Sequence, residues 1–249
     1  MSTWTGIGRS EIGLVRATNQ DAFASIDSLC LWAVADGMGG HAGGEVAAQT
    51  AITTITSQAE STADSLRRGH CSPPEFLTDL TTQAHNAILR RAKRDSKLKG
   101  MGTTVVMLLV ETQPAPTAHI IHLGDSRAYL FRSGTLTPLT RDHTLIEKYL
   151  DRGILTPQAA RTHPERHVLT QALGVSSPIQ PSVSSHRLYR NDLLFLCSDG
   201  LTKMLEDDEI CAVCRCAEGD PGRTCDELIH ESLSRGGADN VTVVVVAAR

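Results

Sequence analysis

Along the chain, apolar and polar positions change rhythm often enough to predict most of its elements. Residues 3–35 read as strands with turns, Arg16 and Asp21 lying in the connecting piece before Leu29 to Ala35 (LCLWAVA). That segment is an unbroken apolar run of strand length, and it is followed by a helix-like stretch from Glu45 to Ile55. Helices are expected at about 43–58 and 74–98; Pro73 and Pro74 suit the start of the second, and Phe76, Leu77, Leu80, Ala84, Ala87 and Ile88 give it one apolar face. The polar stretch Ser57 to Ser72 between them reads as a frayed helix end plus loop, expected to be the most mobile segment. Strands follow at Thr103–Glu111, Ala118–Leu123 and Arg127–Arg132, separated by short turns that require antiparallel pairing.

From Thr144 to Gly174 the pattern shifts to short helices, with Thr156 and Pro157 as an N-cap followed by proline at the first helical position. This insert carries Arg152, Arg161, His163, Arg166 and His167, which fit either a solvated face or a basic flap over a site. A strand near 183–188, a buried strand Leu193–Cys197, helices near 201–233 and a valine-rich strand Val241–Ala247 complete the chain. Strand runs alternating with helix runs favour an α+β fold, a sandwich of two antiparallel sheets flanked by helices, over a doubly wound parallel sheet.

Composition narrows the class without changing the fold. With 249 residues, 41% hydrophobic and 21% charged, the chain is expected to form one domain, residues 1–249, with the flap at about 144–174. A net charge of −4 argues against nucleic acid and acidic membrane surfaces as partners. No apolar run approaches the roughly 18 residues that span a bilayer, so a soluble, cytoplasmic monomer is expected. Seven irregularly spaced cysteines fit free thiols in a reducing compartment; Cys211, Cys214 and Cys216 suggest zinc, but Cys225 is their sole nearby fourth ligand and two of them fall i, i+3 on a helix.

The chemistry concentrates where strands end in acids. Asp36 ends the run through Ala35, Asp199 follows Leu193–Cys197, and Asp239 precedes the last strand. Gly37, Gly39, Gly40, Gly43 and Gly44 strip side chains from the stretch after Asp36, so backbone can approach a small charged group. Three strand-edge acids from distant parts of the chain point to an oxygen-lined site for a hard cation such as Mg²⁺ or Mn²⁺.

Eight pieces in order, RATNQDAF, VADGMGGHAGGE, MGTTVV, HLGDSRAYL, LTRDHTL, LTQALG, LLFLCSDGL and GGADNVTVVVV, resemble the protein phosphatase 2C family, metal-dependent serine/threonine phosphatases, in its short bacterial form. The resemblance implies hydrolysis of phosphoserine and phosphothreonine in proteins, two Mn²⁺ or Mg²⁺ ions with a third in many bacterial members, and a cognate kinase in the same pathway. It implies that Asp36 bridges two ions, the Gly37 carbonyl binds one, Asp199 and Asp239 complete the other, and Asp125 with Asp199 holds the third. Arg16 matches the arginine that grips the phosphate, and Asn240 is expected to orient Asp239. The attacking water would be activated by the metals, with no phosphoenzyme.

Two positions depart from many eukaryotic members. Gln20 stands where they have a glutamate ligand, so Asp21 is expected to hold metal-bound waters instead. Met38 stands where they have a histidine proposed as general acid, which leaves His41 or a metal-bound water as proton donor. A dinucleotide site, suggested by Gly37, Gly39 and Ala42, is disfavoured by Asp36 at the strand end, and a P-loop by Glu45 where lysine is required. A fold that has lost turnover and only binds remains the second alternative.

Overall fold

The computed structural model describes residues 3–39, 43–175 and 178–248. The chain begins with strands β1 (Trp4–Glu11), β2 (Asp21–Ile26) and β3 (Leu31–Met38), then helices α1 (Gly43–Arg67) and α2 (Pro73–Arg94). A group of strands follows: β4 (Gly102–Thr103), β5 (Val105–Glu111), β6 (Thr117–Leu123), β7 (Arg127–Arg132) and β8 (Thr135–Pro138). Short helices α3 (Leu145–Asp151) and α4 (Pro157–Arg161) lead to β9 (Ser182–Arg187) and β10 (Leu193–Cys197). Helices α5 (Asp199–Thr202), α6 (Asp207–Cys216) and α7 (Pro221–Ser234) precede β11 (Val241–Ala248).

The strands form two antiparallel sheets, ordered β1-β11-β10-β7-β8 and β2-β3-β5-β6-β9, with β4 paired to the end of β3. Side-chain alternation assigns the layers. On β3, Leu31, Ala33 and Ala35 face α1 and α2, whereas Trp32 and Val34 face the other sheet. On β10 and β11, Leu194, Leu196, Val244 and Val246 meet them between the sheets, and Leu193, Phe195, Cys197, Val241, Val243 and Val245 pack on α6 and α7. The expected α+β sandwich is the one observed.

Three expectations change. The polar stretch after Ser57 is helical through Arg67, because Ala59 and Ala63 extend the buried stripe of Ile52 and Ile55 while Ser57, Ser61 and Thr62 turn their hydroxyls back to carbonyls of the preceding turn. α2 starts as expected, with Ser72 and Glu75 exchanging capping bonds ahead of Pro73. β3 does not stop before Asp36: Gly37 and Met38 continue it by pairing with Thr103 and Gly102. Asp21, expected in a connecting piece, opens β2 directly opposite Asp36. Thr156 caps α4 as its sequence predicts.

A candidate metal centre at the open end of the sandwich

Continuing the alternation of each strand explains why the acids converge. Counting outward from Trp32 and Val34, Asp36 is the next residue of β3 in the layer between the sheets; from Phe23, Asp21 is the next of β2. On the facing sheet the same parity places Ser198 beyond Leu196 and Thr242 beyond Val244. Both hydroxyls donate to Asp21 Oδ2, each at 2.7 Å, and Thr242 Oγ1 also lies 2.7 Å from Ser10 Oγ. Thr104, next after Val106, accepts from the Asp36 amide at 3.0 Å and lies 2.6 Å from Ser126 Oγ beside Asp125. The dry middle of the sandwich thus gives way to a polar layer at one end.

A cavity of about 530 Å³ opens there, lined by Arg16, Asp36, Gly37, Asp125, Asp199 and Asp239, together with Met38, Thr104, His167 and Lys203. Asp199 is the first residue of α5, and Gly200 behind it lets the helix lie on the chain before β11: a Cβ there would stand 1.9 Å from the Asn240 carbonyl oxygen. Gly13 plays the same part for the loop that carries Arg16, since a Cβ would stand 2.3 Å from the Asp239 carbonyl oxygen at a φ of +81°. Asn240 holds Asp239 through its backbone amide, which donates to Oδ1 at 2.9 Å. Its side chain does not orient Asp239 as expected; it accepts from the Gln20 amide and donates to the Ile12 and Thr18 carbonyls, pinning the Arg16 loop.

The electrostatics of the acids divide in two. Burial first, and then repulsion from neighbouring aspartates, raises Asp36 well above the ordinary carboxylate range, Asp21 to about 6 and Asp125 to about 7. Asp239 moves the other way: burial opposes its charge, but Lys203 and Arg16 pull its pKa down. Arg16 grips Asp239 with two nitrogens, Nε at 2.7 Å and Nη2 at 2.8 Å, and Lys203 Nζ lies 2.5 Å from Asp199 Oδ2 and 2.7 Å from Asp239 Oδ2. Burial works against the Lys203 charge too, yet the two carboxylates raise its pKa above the usual lysine value.

Two buried oxygens, Asp21 Oδ1 and Asp199 Oδ1, find no hydrogen-bond donor among the described residues. A buried carboxylate oxygen without a partner is costly, and a hard divalent ion is the partner that an all-oxygen donor set suits. Among the described residues no three His, Cys, Asp or Glu side chains close on one point as a finished cage. Instead the acids ring an open space, with Lys203 between two of them. The cysteines offer no rival centre: all seven are free thiols, with Cys214 and Cys225 pushed by burial to about 12.

Lys203, Thr104, Ser198 and Thr242 were not singled out by the sequence. For the last three the signal was present, since each continues a strand's alternation by one step; Lys203, one helical turn after Asp199, carries no mark of its own. His41 lies outside the described residues. The insert, α3 and α4, borders a second cavity of about 830 Å³ that includes Arg161 and Arg166 and shares Asp125, His167, Asp199 and Lys203 with the first.

Known proteins resemble this chain over most of its length. The family model described as protein phosphatase 2C matches residues 8–218. The serine/threonine protein phosphatase PstP of Mycobacterium tuberculosis is 36% identical over 239 residues, covering 95% of this chain and 43% of that one, so the chain spans less than half that relative's length. The serine/threonine phosphatase stp of Listeria welshimeri is 32% identical over 241 residues, covering 96% and 93%. The crystal structure of the M. tuberculosis PstP/Ppp phosphatase superposes with a TM-score of 0.87 at 34% identity over 99% of both chains. A structure of the PstP catalytic domain in complex with two manganese ions superposes at 0.83 with 32% identity, covering 100% of this chain and 99% of that one.

Proposed function

The chain belongs to the protein phosphatase 2C family, and from that premise we propose that it hydrolyses phosphoserine and phosphothreonine esters in proteins at the cavity ringed by Asp36, Asp199 and Asp239. The observation that carries this reading is the pair of buried oxygens, Asp21 Oδ1 and Asp199 Oδ1, without a donor among the described residues, beside a cavity where burial and neighbouring aspartates raise Asp36 and Asp125. Asp36, Asp199, Asp239 and the Gly37 carbonyl would hold two Mn²⁺ or Mg²⁺ ions, with Asp125 and Asp199 available to a third. When bound, such ions lower the pKa of a shared water from about 16 toward 7 and offset charge on the phosphoryl oxygens.

The chain's own residues account for the rest. Asp21, fixed by Ser198 and Thr242 through Oδ2, keeps Oδ1 free to orient a water. Arg16, half-exposed on Asp239, presents a planar fork that a phosphate monoester's oxygens can share or take over. Met38 lines the cavity and cannot carry a proton, so the leaving oxygen would take its proton from another donor, a water or His41. A phosphorylated protein, laid along the second cavity, would meet Arg161 and Arg166; neutralising both should lower turnover of a phosphopeptide about three- to tenfold more than that of a small aryl phosphate. The physiological role is reversal of a serine/threonine kinase by a cytoplasmic monomer; the seven free thiols favour a reducing compartment, and no described helix is long and apolar enough to cross a membrane.

The test is hydrolysis of para-nitrophenyl phosphate and a phosphothreonine peptide with Mn²⁺, then with chelator. Turnover lost in chelator and restored by Mn²⁺ is expected. Activity persisting in chelator would remove the ions from the reaction, and none with any divalent ion would favour a module that binds without turnover.

A further inference from the structure

We propose that the Lys203 ammonium is a resident counter-cation that competes with a divalent ion for the carboxylates of Asp199 and Asp239. The inference rests on the metal reading of the site given above. Lys203 follows the four-residue helix α5, one turn beyond Asp199, so both ends of the contact are set by one rigid segment. Its Nζ spans two acids carried by separate segments of the chain, 2.5 Å from Asp199 Oδ2 and 2.7 Å from Asp239 Oδ2, with 24% of the side chain exposed.

Arg16 takes both oxygens of Asp239 as well. Three of the four carboxylate oxygens of this pair therefore already face a nitrogen cation, and the fourth, Asp199 Oδ1, has no donor among the described residues. An ion drawing one oxygen from each acid would sit where a single ammonium now touches both. Two like charges cannot share that position without strong repulsion, so lysine contact and ion occupancy exclude one another. Metal-free, the lysine keeps Asp199 and Asp239 from driving apart; at sufficient metal concentration the flexible side chain swings toward the second cavity, which it also lines. The weakest ion site is then filled only above a concentration threshold that Lys203 sets.

Calorimetric titration of the chelator-treated full chain with Mn²⁺ alone tests this, comparing wild type with Lys203→Met and Lys203→Arg. Lys203→Met should bind its weakest Mn²⁺ about tenfold more tightly or more, or bind one additional ion. Its thermal midpoint in chelator should fall by a few degrees, while Lys203→Arg behaves like wild type in both measurements. Equal Mn²⁺ affinity and stoichiometry in wild type and Lys203→Met would overturn the competition and leave the metal centre standing. Absence of Mn²⁺ binding in all three proteins would overturn both.

Discussion

The molecule buries aspartates in two ways. Asp192, 2% exposed, is held by Arg132 through Nε at 2.8 Å and Nη2 at 2.6 Å and accepts the Tyr189 amide at 2.7 Å; Asp142 is gripped in the same bidentate manner by Arg127. At the open end of the sandwich, Asp21, Asp36, Asp125 and Asp199 crowd together; of the four, Lys203 pairs with Asp199, and among the described residues two of their oxygens have no donor. Paired acids fasten strands and loops to one another. Unpaired acids destabilise the fold that carries them, and an array of this kind is retained where something outside the chain completes it.

Breaking the unpaired group should cost activity rather than fold. Asp36→Ala and Asp199→Asn are each expected to lower phosphatase turnover by about three orders of magnitude or more, with near-native circular dichroism and, in chelator, a thermal midpoint equal to or above wild type. Full turnover in both would show that the reacting phosphate sits elsewhere. Breaking a paired acid should do the reverse. Arg132→Ala leaves Asp192 charged and buried with one backbone donor, so denaturant unfolding should report a loss of about 2–3 kcal/mol, discounted for the exposure of Arg132, with kcat within about twofold of wild type.

The comparison sharpens with pH. A carboxyl raised in the folded state binds its proton more tightly there, so its contribution to metal-free stability is greatest below the unfolded value of 3.8. It should fall as pH rises through about 6 for Asp21 and about 7 for Asp125. Asp239, lowered instead, contributes stability above its unfolded value that is lost toward acid. Chemical denaturation in chelator from pH 4 to 8 should show the decline, Asp125→Asn should flatten it, and saturating Mn²⁺ should reverse its slope as protons and metal compete. A metal-free stability that climbs over this range would contradict the crowding of the acids.

Much of this was legible from residues alone. The two-sheet sandwich followed from strand runs alternating with helix runs, and Asp36, Asp199 and Asp239 were visible because each stands beside an apolar run. Asp21 was placed one element too early, because nothing local says that its strand begins at the acid itself; the pairing opposite Asp36 requires the neighbouring strand. The helical extension past Ser57 was hidden by its polar majority, since two alanines at the right spacing carry the burial. Lys203 was illegible for a different reason: its role depends on Asp239, far along the sequence, reaching the same ammonium.

Gly200 ties these features to a single missing methyl group. With a side chain there, α5 would be wedged off the backbone of Asn240 and would carry Asp199 and Lys203 away together as one unit. Local neutrality would survive such a shift while alignment across to Asp36 would not, so one glycine acts as the hinge pin on which the register between the two halves of the centre turns.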